Sequence, residues 1–134
     1  MTKIGFIGLG AMGLCMARNL LSSGHKVIGF DFSKVAMDAH IKNGGEIAIS
    51  AAEASAEANF VISMLPNGDA VKQAALGQSG VAEKLPKDSL FIDMSTIHPL
   101  ETDQIRQDLR DQSISMVDAP VGRTSVEAEL GKSL

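Results

Sequence analysis

The sequence predicts an α/β fold: a doubly wound, mainly parallel sheet with helices on both faces. Three observations predict it. Short apolar runs alternate with helix-period segments almost to the end of the 134 residues. The runs are nearly continuous in apolar residues, as strands buried on both sides are. Helical segments separate six such runs, so neighbouring strands are joined by crossovers, which are right-handed in parallel sheets.

Taken in order, Ile4-Gly5-Phe6-Ile7 reads as a buried strand. Residues 11–22 follow as a helix with Leu14, Ala17, Leu20 and Leu21 on one face, stopped by Gly24. Val27-Ile28-Gly29-Phe30 is the second strand, closed by Asp31. Ser33 can cap a helix over 34–42 that ends at Asn43-Gly44-Gly45. Residues 47–49 form a short third strand, and Ser50 with Glu53 fits a capping box for an alanine-rich helix. The fourth strand covers 60–65 and breaks at Pro66-Asn67-Gly68, before a helix over about 69–76. The fifth covers 90–94. Pro99 then suits the first turn of a helix running to about 111, since its missing N–H costs nothing there. The sixth strand covers 114–118, residues 120–125 form a loop, and another helix begins at Val126. No linker or solenoid repeat interrupts this order.

The length fits one domain, able to bury about two-thirds of its unfolded surface. Hydrophobic residues make up 45% and charged residues 21%, which excludes a disordered or fibrous chain. A net charge of −4, with no Trp or Tyr, argues against nucleic-acid binding. The single cysteine, Cys15, excludes an internal disulfide framework and a cysteine-rich zinc site, and the three histidines do not pair at metal spacing, so no metal is expected. Cys15 is expected as a small buried residue, and His25 and His40 as surface positions. No apolar run approaches the ~20 residues of a membrane span, and Met1-Thr2-Lys3 leads straight into a strand instead of a signal sequence. The expectation is a cytoplasmic protein with no membrane partner.

Gly8-Leu9-Gly10-Ala11-Met12-Gly13 follows the first strand and opens the first helix. A G-x-G-x-x-G match alone is weak. Here a strand precedes it, a helix and a second strand follow, and an acid stands about 20 residues on. Gly8 permits the tight turn, Gly10 lets backbone approach a pyrophosphate, and Gly13 lets the helix pack close to the strand. The helix N-terminus offers N–H groups and partial positive charge to phosphates. Asp31 can accept hydrogen bonds from both hydroxyls of an adenosine ribose, and it would repel a 2′-phosphate, so the motif favours NAD over NADP. Two other readings remain: glycines that make only a turn beside an acid that starts a helix, or an FAD site, which is ordinarily set in a longer chain. Met12 would pack near the pyrophosphate. Ligands of open α/β sheets bind at the C-terminal ends of the strands. Three further loops lie there, at 64–68, 95–99 and 121–125.

Gly8 to Gly13, Asp31, Met64-Leu65-Pro66, Asp93-Met94-Ser95-Thr96 and Asp118-Ala119-Pro120-Val121 together resemble the β-hydroxyacid dehydrogenase family, which includes 3-hydroxyisobutyrate dehydrogenases and tartronate semialdehyde reductases. The resemblance covers the whole chain, and Ala128 and Gly131 also fit it. It implies an NAD-binding Rossmann domain over residues 1–134, with Leu65 at the cofactor backbone and Thr96 at the nicotinamide ribose. Ser95 is either a substrate contact or a helix cap. Where the family usually has Ser-Gly-Gly after Asp-Ala-Pro-Val, this chain has Gly122-Arg123-Thr124-Ser125. That variant is similar to the branch of the family that reduces 3-sulfolactaldehyde to 2,3-dihydroxypropane-1-sulfonate, where the arginine holds the sulfonate. A guanidinium suits a multi-oxygen anion, being permanently charged and fork-shaped. On its residues alone, Arg123 is equally a loop arginine paired with Asp118 or Glu127.

The implied activity is hydride transfer between NADH and a small anionic aldehyde, with 3-hydroxyisobutyrate or tartronate semialdehyde as alternative substrates. In the family, a lysine in a second, helical domain acts as general acid, and no residue here can be assigned to it. Asp93 and Asp118 are expected to be structural, and His98 to neighbour a helix N-cap. The sequence is therefore expected to be the N-terminal part of a longer enzyme, since Gly131-Lys132-Ser133-Leu134 does not look like a finished end. The resemblance implies that the full-length protein is a homo-oligomer. A chain of this extent could also be a dinucleotide-binding module and nothing more.

Overall fold

The computed structural model describes residues 2–120. Its strands are β1 (Lys3–Ile7), β2 (Lys26–Phe30), β3 (Glu46–Ile47), β4 (Phe60–Ser63), β5 (Leu90–Asp93) and β6 (Ser115–Asp118). Its helices are α1 (Ala11–Ser22), α2 (Lys34–Lys42), α3 (Ala51–Ser55), α4 (Gly68–Leu76) and α5 (Pro99–Arg110), with a 3₁₀ turn at Val81–Glu83 that the sequence pattern does not announce. The sheet is entirely parallel, in the order β3-β2-β1-β4-β5-β6. This is the doubly wound Rossmann order, and it reverses between β1 and β4. The expected loop at 121–125 and the helix from Val126 lie outside the described residues.

Strand alternation divides the apolar residues between two cores. Ile4, Phe6, Val27 and Ile62 face α1, where Met16 and Ala17 meet them. Ile7, Val61, Phe91 and Met116 face the other way, against Val71 and Ala75 of α4 and Ile105 and Leu109 of α5. Phe6 and Phe91 are fully buried, one in each core. Burying a side chain of that size contributes roughly 1.5–3 kcal/mol.

The helix ends follow the expected chemistry. The Ser33 hydroxyl accepts from the Ala36 N–H at 3.2 Å, and the Ser50 hydroxyl accepts from Glu53 at 3.1 Å. Gly24 ends α1 at φ +91°. His98 is itself the N-cap of α5, its Nδ1 accepting the Leu100 N–H at 3.1 Å.

Three further expectations need correction. The third strand is shorter and earlier than 47–49. Ala48 still donates to Gly29 at 3.0 Å, but Ser50 then caps α3 and turns the chain off the sheet edge. His40 is not a surface residue: it is fully buried. Its Nε2 lies 3.2 Å from the Val27 carbonyl, and its ring packs where a Cβ on Gly29 or Gly45 would stand. The two glycines make the space that lets a histidine enter this face. Cys15 is half-buried at the edge of the α1 core, not enclosed.

Among the described residues, no helix is long and apolar enough to cross a membrane, and no group of three or more His, Cys, Asp or Glu could hold a metal ion.

Candidate functional site

A cleft of about 1020 Å³ opens along the C-terminal ends of the strands, at the point where the strand order reverses. That is the upper end of the ~300–1,000 Å³ typical of ligand sites. The glycine loop forms its floor. Gly8 has φ +100°, and a Cβ there would run into the Met64 carbonyl oxygen. A Cβ on Gly13 would strike the Gly8 carbonyl. Gly10 differs, since a Cβ there would meet no protein atom within 4 Å and would fill the cleft instead. This is the arrangement a pyrophosphate needs: Gly8 lets the loop pack against the end of β4, Gly13 lets it close on itself, and Gly10 leaves room for the ligand. α1 has no side-chain cap at Gly10, and its first residues, Ala11, Met12 and Gly13, line the cleft.

Asp31 sits at the end of β2 on the cleft wall. Its Oδ2 accepts the Leu9 N–H at 2.8 Å and its Oδ1 accepts the Ser33 N–H at 2.8 Å. The carboxylate thus braces the glycine loop and starts α2 while remaining beside the space a ribose would take. Carboxylate oxygens have lone pairs left for hydroxyl donors after these two bonds.

Of the other expected cofactor residues, Ala11, Met12, Met64, Leu65 and Pro66 line the cleft. Leu9 does not. Its side chain is 1% exposed in the α1 core, and its contribution is the N–H held by Asp31. Thr96 is exposed just beyond β5 but outside the cleft lining. Ser95 is 4% exposed, and its Oγ accepts the Leu65 N–H at 2.8 Å, which ties the loop after β5 to the loop after β4. Gly122, Arg123, Thr124 and Ser125 lie outside the described residues.

Three features have a setting that the sequence does not show. Phe32 is 96% exposed and Ile49 is 84% exposed, and both line the cleft at its β2–β3 end. A Phe directly after the strand-closing acid is the signal that could have found the first. The third is Asp93, buried at the end of β5, whose Oδ1 accepts from the Ser63 hydroxyl at 2.7 Å and the Ser95 N–H at 3.1 Å. Burial pushes its carboxyl above the ordinary carboxylate range. The hydrogen bonds from Ser95 and Ser63 oppose that shift, and the neighbouring Asp118 adds to it. Asp118 is paired with Arg106 of α5. A smaller depression, about 380 Å³, lies between α5 and the start of β6, away from these strand ends, and its Arg106 is already engaged by Asp103 and Asp118.

Known proteins agree with this geometry. A sequence profile described as the NAD binding domain of 6-phosphogluconate dehydrogenase matches residues 3–134. The chain is 48% identical over 134 residues to a 3-sulfolactaldehyde reductase of Escherichia coli (strain K12), covering all of this chain and 45% of that protein. It is 39% identical over 121 residues to a 3-hydroxyisobutyrate dehydrogenase of Pseudomonas aeruginosa, covering 90% of this chain and 41% of that protein. Among solved structures, a Mycobacterium tuberculosis 3-hydroxyisobutyrate dehydrogenase with L-serine superposes with a TM-score of 0.90 at 37% identity, covering 97% of this chain and 44% of that one. The chain thus spans less than half the length of these relatives. With the glycine loop, the strand order and the whole-length match in agreement, the chain belongs to the NAD-binding domain family of 6-phosphogluconate dehydrogenase, among relatives that are 3-hydroxyisobutyrate dehydrogenases and 3-sulfolactaldehyde reductases.

Proposed function

We propose that the chain binds NAD(H) as the dinucleotide-binding part of an oxidoreductase that reduces a small anionic aldehyde, 3-sulfolactaldehyde first among them. The observation that carries the cofactor reading is the space beside Gly10, with the Asp31 carboxylate set on the wall of the same cleft. The bound nicotinamide supplies the hydride. The chain's own part is to hold and orient. The α1 N-terminus faces the pyrophosphate, Asp31 accepts from the adenosine ribose, and Phe32 and Ile49 offer an apolar surface to the adenine. Leu65 lies along the cofactor backbone, and Thr96 meets the nicotinamide ribose. Asp31 also disfavours a 2′-phosphate, which supports NAD over NADP.

The substrate reading rests on the 48% identity with the Escherichia coli reductase and on Gly122-Arg123-Thr124-Ser125 in the sequence, with Arg123 as the sulfonate anchor. A second reading, 3-hydroxyisobutyrate or a related carboxylate as substrate, is supported by relatives at 37–39% identity. The two separate on the full-length protein, assayed with NADH against 3-sulfolactaldehyde and tartronate semialdehyde. Arg123→Gly should cut kcat/KM for the sulfonate by about 100-fold and spare the carboxylate, since a lost charged hydrogen-bond donor removes roughly 2–3 kcal/mol. Equal losses on both would remove the sulfonate assignment. The chain alone should bind NADH and turn nothing over, because the family's general-acid lysine has no counterpart within it.

A further inference from the structure

The last residues of β4, β5 and β6 form a polar row across one face of the sheet. Ser63, Asp93 and Asp118 are register partners on adjacent strands, and Arg106 closes the row by pairing with Asp118. Asp93 is the buried centre, at 1% exposure. Its Oδ1 takes two hydrogen bonds, whereas its Oδ2 is buried with no partner among the described residues. A half-satisfied buried carboxyl is costly, so its presence calls for a reason.

The hydrogen bonds lead from it to the cleft. Asp93 seats Ser95 through the backbone, and Ser95 Oγ takes the Leu65 N–H. The Leu65 loop in turn packs directly on the glycine loop: a Cβ on Gly8 would lie 3.0 Å from Leu65 Cδ2. We propose that Asp93 is a positioning residue for the cofactor, fixing Ser95 so that its hydroxyl holds the Leu65 loop in place as the wall of the phosphate site. The inference rests on the NAD(H) reading for its functional half, while the tie itself stands on hydrogen bonds alone.

The same two strands carry a control at their opposite end. Ser89, just before β5, donates its hydroxyl to the Ala58 carbonyl at 2.5 Å, far from the cleft loops. The experiment compares the parent chain with Ser95→Ala, Asp93→Ala, Asp93→Asn and Ser89→Ala. It measures amide hydrogen exchange at Leu65 by NMR and the dissociation constant for NADH by titration. Ser95→Ala and Asp93→Ala should speed Leu65 exchange about 10-fold and weaken NADH by about 10-fold, the usual scale for one unsatisfied buried donor. Asp93→Asn keeps an acceptor at Oδ1 and should stay within about twofold of the parent on both readouts. Ser89→Ala should lower the Tm without moving either. Unchanged Leu65 exchange in Ser95→Ala would overturn the tie, and an equal loss of NADH affinity in Ser89→Ala would overturn the positioning role. If Asp93→Ala does not fold, Ser95→Ala and Asp93→Asn decide the matter. If the parent chain itself fails to bind NADH, the cofactor reading falls, and the exchange data still decide whether Asp93 governs Leu65.

Discussion

The two halves of the sheet build one cleft by different means. On the β1–β2 side the wall is backbone: a glycine at φ +100°, a second whose Cβ would strike its own loop, and a third beside open space. Asp31 contributes the charged side chain there, and it spends two hydrogen bonds on holding that backbone. On the β4–β5 side the wall is built from side chains, with Ser63, Asp93 and Ser95 linked in sequence to Leu65. The first half works by the absence of atoms and should fail when an atom is added. The second works by specific atoms and should fail when one is removed.

The most damaging change should therefore be Gly8→Ala. It forces a left-handed backbone on alanine and drives a methyl into the Met64 carbonyl. A stability loss of about 2–4 kcal/mol is expected, with NADH affinity down at least ~100-fold. Denaturant unfolding and NADH titration check both. Gly10→Ala sharpens the contrast, because its methyl meets nothing in the protein at φ −69°. Stability should stay within about 0.5 kcal/mol of the parent while NADH weakens by up to ~100-fold. If the two variants lose stability equally, the distinction between loop closure and ligand clearance is wrong. Asp31→Ser should have a smaller effect, about 10-fold on NADH, together with improved NADPH binding. Parallel titrations with the two cofactors read this, and an unaltered preference would remove Asp31 from the ribose.

What the sequence makes legible divides along the same line. Gly8, Gly10, Gly13 and Asp31 are readable because a local backbone geometry permits few residues at each position. The caps at Ser33 and Ser50 are readable for the same reason. The contact of Asp93 with Ser63 is not, because it depends on the register of β4 against β5, which no local pattern contains. His40 fails likewise. It shares an inward helical face with Ala36 and Met37, but only the missing Cβ atoms of Gly29 and Gly45, on other elements, make room for its ring. Ile49 reads as the end of the third strand and Phe32 belongs to no motif, and only the position of the cleft shows what they border. Leu9 was legible by motif and differs in role, giving the loop its N–H and the core its side chain.

The smallest expected effect tests the side-chain half through pH. Burial raises the Asp93 carboxyl above its ordinary value, so the folded chain holds that proton more tightly than the unfolded chain does. The native state then binds more protons in the window above the ordinary carboxylate range of about 4. The stability this gives is fully present below that range and is lost as pH rises through the folded value. Asp93→Asn keeps the oxygen that accepts from Ser63 and Ser95, cannot ionise, and places an amide beside Asp118 instead of a second carboxyl. Its Tm should match the parent near pH 4 and exceed it by a few degrees near pH 7, a shift corresponding to under about 1 kcal/mol. Thermal unfolding of both proteins across that range measures it. A gap that stays flat, or that widens toward acid, would show that Asp93 ionises in the fold without cost, and the side-chain wall would then rest on an ordinary charged carboxylate.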